Sequence, residues 1–248
     1  MPNPVLIIPA RLASQRLPGK ALADIGGKPM IVRVLERARA AGVGPAVVAT
    51  DAAEIAAAVE AAGGRAIITS SRHASGSDRI AEAVGILDPQ GAHDVVVNVQ
   101  GDEPLVDPAA IRAALALMDD PAVDIGTLGA PMADAAERDD PNAVKIVGAQ
   151  IAPDRLRALY FTRAPAPWGE GATIRHIGLY AYRRTALARY VALPPSPLEI
   201  RERLEQLRAL EAGMRIDVAL VEDGHRGVDT PADLARVRRA VAEEGQSG

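Results

Sequence analysis

The chain has 248 residues and a formal net charge of −4, a balance that excludes a general nucleic-acid binder, whose basic face must neutralise phosphates. It has no cysteine, which excludes a disulfide framework and a thiolate zinc site. Hydrophobic residues make up 48% of the chain but aromatics only 2%, so an aliphatic core of Val, Ile, Leu and Ala is expected in an α/β layer architecture.

No apolar run reaches membrane-spanning length, and Met1-Pro2-Asn3-Pro4 lacks a basic n-region. A cytoplasmic protein without membrane insertion is expected. In chain order, Val5-Leu6-Ile7-Ile8 predicts a buried strand that breaks at Pro9-Ala10. A cationic loop follows, carrying Arg11, Ser14, Arg16, Gly19 and Lys20. Residues 30–39 place Ile31, Val34, Leu35 and Ala38 on one helical face. A strand is predicted at 47–50, ending at Asp51, then a helix at 54–62 stopped by Gly63-Gly64. A strand at 66–68, a helix at 77–87, a continuous apolar strand at 95–99 and a helix at 108–118 that opens on proline complete the pattern. Strand and helix alternate at βαβ spacing, so the sheet is expected to be mostly parallel, with helices flanking it and ligands at the carboxyl ends of its strands. Pro9, Asp51 and Gln100-Gly101-Asp102 fall at those ends.

Beyond Asp119 the pattern loosens. Strands are predicted at 124–130, 143–147, 174–182 and 216–221, and helices at 185–191, 199–212 and 231–242, while 153–171 reads as loop. One α/β domain over 1–248 is expected, with a subregion at about 150–200 inserted into it.

The opening loop is not a P-loop: Pro18-Gly19-Lys20 is followed by Ala21, with no glycine at the required upstream position. A phosphate cradle here must use side chains, with Arg11, Arg16 and Lys20 offsetting triphosphate charge and Ser14 and the amides around Gly19 donating hydrogen bonds. Asp102 follows the most buried strand, where a carboxylate can hold Mg²⁺ together with substrate phosphates; a turn-forming aspartate is the plain alternative. In Gly227-Val228-Asp229-Thr230-Pro231, helix capping accounts for Thr230, Pro231 and Asp233 and leaves Asp229 unexplained. Asp102 and Asp229 could therefore converge on one cation. Ser75-Gly76-Ser77-Asp78-Arg79 could bring backbone and an arginine donor to a flat base, or Ser77 could simply cap a helix. His176, Gly178 and Tyr180 share one face of an alternating strand, which fits a sugar site or an exposed edge. Glu205-Gln206 lies in a predicted helix, where such pairs are commonly solvated. The chain has only three lysines, Lys20, Lys28 and Lys145, so a compact point charge can be specifically required where one occurs.

Together these segments resemble the 3-deoxy-manno-octulosonate (Kdo) cytidylyltransferases. The match rests on I-I-P-A-R-L-A-S-Q-R-L-P-G-K at 7–20, A-T-D at 49–51, S-G-S-D-R at 75–79, N-V-Q-G-D-E-P at 98–104 and P-N-A-V-K at 141–145. It continues through R-H-I-G-L-Y at 175–180, P-S-P-L-E at 195–199, L-E-Q-L-R at 204–208 and G-V-D-T-P at 227–231. The resemblance implies a nucleotide-diphospho-sugar transferase-like fold and transfer of CMP from CTP to Kdo with Mg²⁺, serving lipopolysaccharide synthesis. It implies that Arg11, Ser14, Arg16 and Lys20 hold the triphosphate, that Ser75, Gly76 and Arg79 read cytosine, and that Asp102 and Asp229 bind Mg²⁺. Gln100, Arg163, His176, Tyr180, Glu205 and Gln206 would hold the sugar acid, with Lys145 near the phosphates, and a homodimer would form through the region around 150–200. The family's usual S-G-T-E-R is S-G-S-D-R here, and the loop at 164–173 is short. The rivals are the same transfer to sialic acid or an amino-Kdo, a sugar-1-phosphate nucleotidylyltransferase, and a nucleotide-sensing module without catalysis.

Overall fold

The computed structural model describes residues 2–13, 17–73, 75–222 and 227–246, the last three for backbone alone. In chain order the elements are β1 (Pro4–Ala10), β2 (Asp24–Ile25), β3 (Lys28–Pro29), α1 (Met30–Ala40), β4 (Ala46–Thr50), α2 (Ala53–Ala61), β5 (Ala66–Ile68), α3 (Gly76–Leu87), β6 (Val95–Asn98) and α4 (Pro108–Ala116). There follow β7 (Ile125–Pro131), α5 (Ala135–Asp139), β8 (Lys145–Ala152), β9 (Arg155–Thr162), β10 (Ile174–Arg183), α6 (Arg184–Val191), α7 (Pro197–Glu202), α8 (Gln206–Glu211), β11 (Ile216–Leu220) and α9 (Pro231–Gln246). No helix among the described residues is long and apolar enough to cross a membrane.

Two compact units divide the chain, one of Asn3–Ile111 with His225–Gly248, the other of Arg112–Gly224 with Met1–Pro2. In the first, β1 pairs in parallel with β4 and β6, and β4 with β5, giving the order β5-β4-β1-β6. Val5–Ile8 of β1 and Val95–Val97 of β6 are apolar and buried, as expected of parallel strands covered on both faces, while Asn98 ends β6 as a buried polar residue. Helix α1 turns Ile31, Val34, Leu35 and Ala38 inward, and Gly63 takes a positive φ of 69° just past α2, the left-handed stop that glycine permits. A Cβ on Gly101 would stand 2.5 Å from the Pro9 carbonyl oxygen. Only glycine lets the end of β6 approach the end of β1 this closely, and that approach sets the site.

The second unit is built differently. β7 pairs antiparallel with β10 and parallel with β11, β11 pairs antiparallel with β9, and β9 with β8. The α/β class with helix-flanked sheet is as expected, but parallel pairing belongs to the first unit and to β7–β11 alone in the second. The second unit is also wider than the subregion expected at about 150–200.

Two local expectations fail for physical reasons. Residues 153–171 read as loop, yet 155–162 form β9. Its ladder with β8 shifts register between Val147 and Gly148 and again between Gln150 and Ala152; such irregularities break the two-residue alternation that marks a strand. The helix expected at 199–212 is two helices, because Arg203 adopts a left-handed conformation with φ 56° and ψ 47°. The Arg163 guanidinium donates to the carbonyls of Glu202 and Arg203, holding a break that no local signal announces.

Candidate active site

Three segments far apart in sequence meet at Lys20. Its ammonium donates to Asp102 Oδ2 at 2.6 Å, to Asp229 Oδ1 at 3.2 Å and to the Val228 carbonyl at 3.0 Å. Gly19, at φ 68°, turns the loop so that Lys20 opens a short 3-10 turn. The Val228 amide donates to the Asp102 carbonyl at 2.8 Å, tying the two acidic segments together. Beneath them lies one apolar cluster of Ile25, Met30, Leu105, Val228, Leu234 and Val237, with Leu17 and Ala23 packed against it. Each segment bearing a charge thus inserts a hydrophobic neighbour into a common core: Leu17 and Ala23 beside Lys20, Leu105 beyond Asp102, Val228 before Asp229. Replacing Val228 by Ala is expected to cost roughly 2 kcal/mol through lost burial and the cavity left behind, read as a lower denaturant midpoint.

Capping behaves as read from the sequence. The Asp233 amide donates to Thr230 Oγ1 at 3.2 Å and the Thr230 amide to Asp233 Oδ2 at 3.0 Å, a reciprocal box with Asp in the acidic position. Asp229, left over by that box, is the residue that reaches Lys20.

At the start of α3 the cap is Ser75, not Ser77. Ser75 Oγ accepts from the Asp78 amide at 3.1 Å and donates to Asp78 Oδ2 at 2.8 Å, while Ser77 is buried. Gly76 lies against Pro9, 3.7 Å from where its Cβ would be, so this helix start adjoins the end of β1. Arg79 is 4% exposed and donates to Asp51 Oδ2 at 2.8 Å and to Thr69 Oγ1 at 2.6 Å. Its guanidinium is anchored, and the A-T-D segment supplies the anchor. Arg11 is exposed, Ala10 buried, and Pro9 and Gln100 half-buried. Ser14 and Arg16 lie outside the described residues.

In the second unit, Lys145, expected near the phosphates, is held by backbone carbonyls. It is 0% exposed, and its ammonium donates to the carbonyls of Asp140 at 2.7 Å and Arg163 at 2.9 Å. Burial pulls its pKa below the usual lysine value. It clamps the two loops that bear Asp140 and Arg163. Arg163 uses three of its five N–H groups on the carbonyls of Glu202, Pro141 and Arg203, leaving two for a carboxylate. Tyr190 Oη donates to the Glu205 carbonyl at 3.1 Å, and Arg208 grips Glu199 at 2.5 and 2.8 Å. The segment bearing Glu205 and Gln206 is therefore fixed on several sides. Gln206 is 7% exposed, and its Nε2 finds no hydrogen-bond acceptor among the described residues, a buried donor that a bound ligand would satisfy.

His176 and Tyr180 do share a face, with ring centroids 5.5 Å apart, and Phe161 meets the imidazole edge-on at 5.0 Å. Burial, with the Arg175 charge adding to it, pushes the His176 pKa down to about 3, and burial raises the Tyr180 phenol well above its ordinary value. Both are neutral at physiological pH. Unfolding frees the imidazole to take up a proton between pH 6.5 and about 3, so His176 makes the fold lose stability as pH falls through that window. His176→Gln is expected to flatten the decline by up to about 1.4 kcal/mol per pH unit, measured as denaturation midpoints between pH 7 and 5.

The family model described as cytidylyltransferase matches residues 5–216. A 3-deoxy-manno-octulosonate cytidylyltransferase of Methylobacterium radiotolerans is 66% identical over 238 residues, 96% of either chain. One from Methylorubrum populi is 64% identical over 242 residues, 98% of either chain. The chain belongs to the 3-deoxy-manno-octulosonate cytidylyltransferase family. A solved structure of CMP:2-keto-3-deoxy-manno-octonic acid synthetase complexed with CTP superposes with a TM-score of 0.91 at 43% identity, covering 98% of this chain and 99% of that one.

For this cytidylyltransferase, the donor set can be tested against Mg²⁺. Among the described residues no group of three or more His, Asp and Glu side chains could hold a metal on its own. Asp102 and Asp229 instead form a two-carboxylate set already converging on one cation, the Lys20 ammonium. Hard oxygen donors in that number fit Mg²⁺, which keeps its other positions for substrate phosphates and water. Sequence reasoning missed Glu202, whose carboxylate accepts from Thr162 Oγ1 and the Arg163 amide, both at 2.9 Å. It sits in an Arg201-Glu202-Arg203 run with the look of a solvated surface, so nothing local marked it.

Proposed function

We propose that this chain transfers CMP from CTP to the anomeric hydroxyl of Kdo. That oxygen forms a bond to the α-phosphorus as its proton passes to water, the bond between the α-phosphorus and its bridging oxygen breaks, and pyrophosphate leaves with the electron pair. The observation that carries the reading is the convergence of Lys20, Asp102 and Asp229, a cation and two carboxylates, with Asp102 in the loop that follows the parallel strand β6, on the side of such sheets where nucleotides bind.

Asp102 and Asp229 would hold Mg²⁺, and when bound it supplies Lewis-acid polarisation of phosphate oxygens. Lys20, with Arg11 and Arg16, binds the triphosphate and offsets charge on the departing pyrophosphate. Ser75, Gly76 and the anchored Arg79 shape the cytosine end. In the second unit, Arg163 offers its two remaining donors to the sugar carboxylate, while His176, Tyr180, Glu205 and Gln206 engage hydroxyls. The enzyme acts in the cytoplasm as a homodimer and feeds lipopolysaccharide synthesis. The exposed Leu159, Ile151 and Ile200 of the second unit support pairing through that unit.

The test is pyrophosphate release with CTP and Mg²⁺, offered Kdo, sialic acid, an amino-Kdo, a hexose 1-phosphate or no acceptor. Release with Kdo far above every other arm is expected. Preference for another acceptor would overturn the substrate assignment, and binding of CTP without release in any arm would overturn the catalytic one.

A further inference from the structure

Strand β7 carries a fully buried hydroxyl at Thr127. Opposite it, β10 interrupts its ladder: Ile177 faces Leu128, Tyr180 faces Thr127, and Gly178 and Leu179 fall outside the register. Thr127 Oγ1 sits within that irregularity, 2.9 Å from the Leu179 carbonyl, 3.2 Å from the Ile177 carbonyl and 3.0 Å from His176 Nε2. A hydroxyl has one proton to give, and carbonyl oxygens can only accept. With two carbonyls competing for that proton, the oxygen meets the imidazole as an acceptor, so Nε2 carries the ring's hydrogen. A neutral imidazole protonated at Nε2 leaves Nδ1 as a lone-pair acceptor. Phe161 and Tyr180 enclose the ring and limit its freedom to turn over.

We infer that Thr127 is a positioning residue that fixes His176 as the Nε2-protonated tautomer, so that Nδ1 accepts a hydrogen bond from a hydroxyl of the sugar acid. The inference rests on the reading above that His176 engages that substrate. It makes His176 a discriminator of hydroxyl donors and not an acid or base, in keeping with its lowered pKa. It also gives the buried hydroxyl and the ladder irregularity one purpose.

The test uses full-length protein labelled with ¹⁵N-histidine. The chain has four histidines, so the His176 signals are assigned by their loss in H176Q. In the unsubstituted protein at pH 7, long-range ¹H–¹⁵N correlation should show one pyridine-like nitrogen at Nδ1 and a protonated Nε2. T127V, close in shape but without the hydroxyl, should move His176 toward the other tautomer or a mixture. It should also raise KM for Kdo by about three- to tenfold, the worth of one neutral hydrogen bond, with KM for CTP nearly unchanged. T127S should restore both readouts, and it keeps the test usable if T127V does not fold. A His176 protonated at Nδ1 in the unsubstituted protein, or an unchanged tautomer in T127V, overturns the role of Thr127. A tautomer that shifts while KM for Kdo stays constant overturns the link to the sugar acid. Absence of activity toward Kdo in the unsubstituted protein is a separate result, and it counts against the proposed function.

Discussion

Asp102→Asn is expected to lower turnover by about 100-fold or more while changing CTP affinity far less. The substitution keeps the side chain's shape and leaves the backbone bond from the Val228 amide to the Asp102 carbonyl in place. What it removes is one of two carboxylates that meet at a single cation, with Asp102 Oδ2 2.6 Å from Lys20. Initial rates of pyrophosphate release, set beside calorimetric titration with CTP, separate the two effects. Turnover close to that of the unsubstituted enzyme would remove Asp102 from the reaction. A loss of CTP binding as large as the loss of turnover would make its role one of nucleotide affinity alone.

Lys20→Met carries the second large effect, and it acts in opposite directions on two measurements. Turnover is expected to fall about 100-fold, because the ammonium no longer offsets charge on the leaving pyrophosphate. Without CTP, however, Lys20 stands between Asp102 and Asp229 at 2.6 and 3.2 Å, where it would compete with a divalent ion for the same two carboxylates. Removing it leaves like charges facing each other, so Mn²⁺ binding to the nucleotide-free variant should tighten by about tenfold, the worth of one modest ion pair. Electron paramagnetic resonance of free Mn²⁺ measures this directly, and Mn²⁺ should raise the melting temperature of the variant more than that of the parent. Equal or weaker Mn²⁺ binding in the variant would show that Lys20 does not compete for the site.

Much of the first unit could be read from sequence because its signals are local. Four apolar strands separated by helices of period 3.6 can form little else than a parallel layer, and the glycine after α2 stops it by its own backbone freedom. The box at Thr230 and Asp233 involves residues three apart, and recognising it isolated Asp229 as a residue without a local task. The second unit was harder to read. Register shifts hid β9, and the break between α7 and α8 at Arg203 depends on an arginine 40 positions away. The burial of Lys145 was equally illegible, because the two backbone carbonyls that accept its ammonium come from loops 5 and 18 positions away.

The sequence by itself determined the strand and helix order of the first unit, the cap at Thr230, the family and the residue types brought to the chemistry. Only the tertiary structure decided which charges neutralise one another. Lys20 meets Asp102 across 82 positions and Asp229 across 209, separations over which no periodicity or spacing carries information. Burial of Leu105, Val228 and their neighbours in one apolar cluster brings those segments together, and the electrostatics of the site follow from that packing.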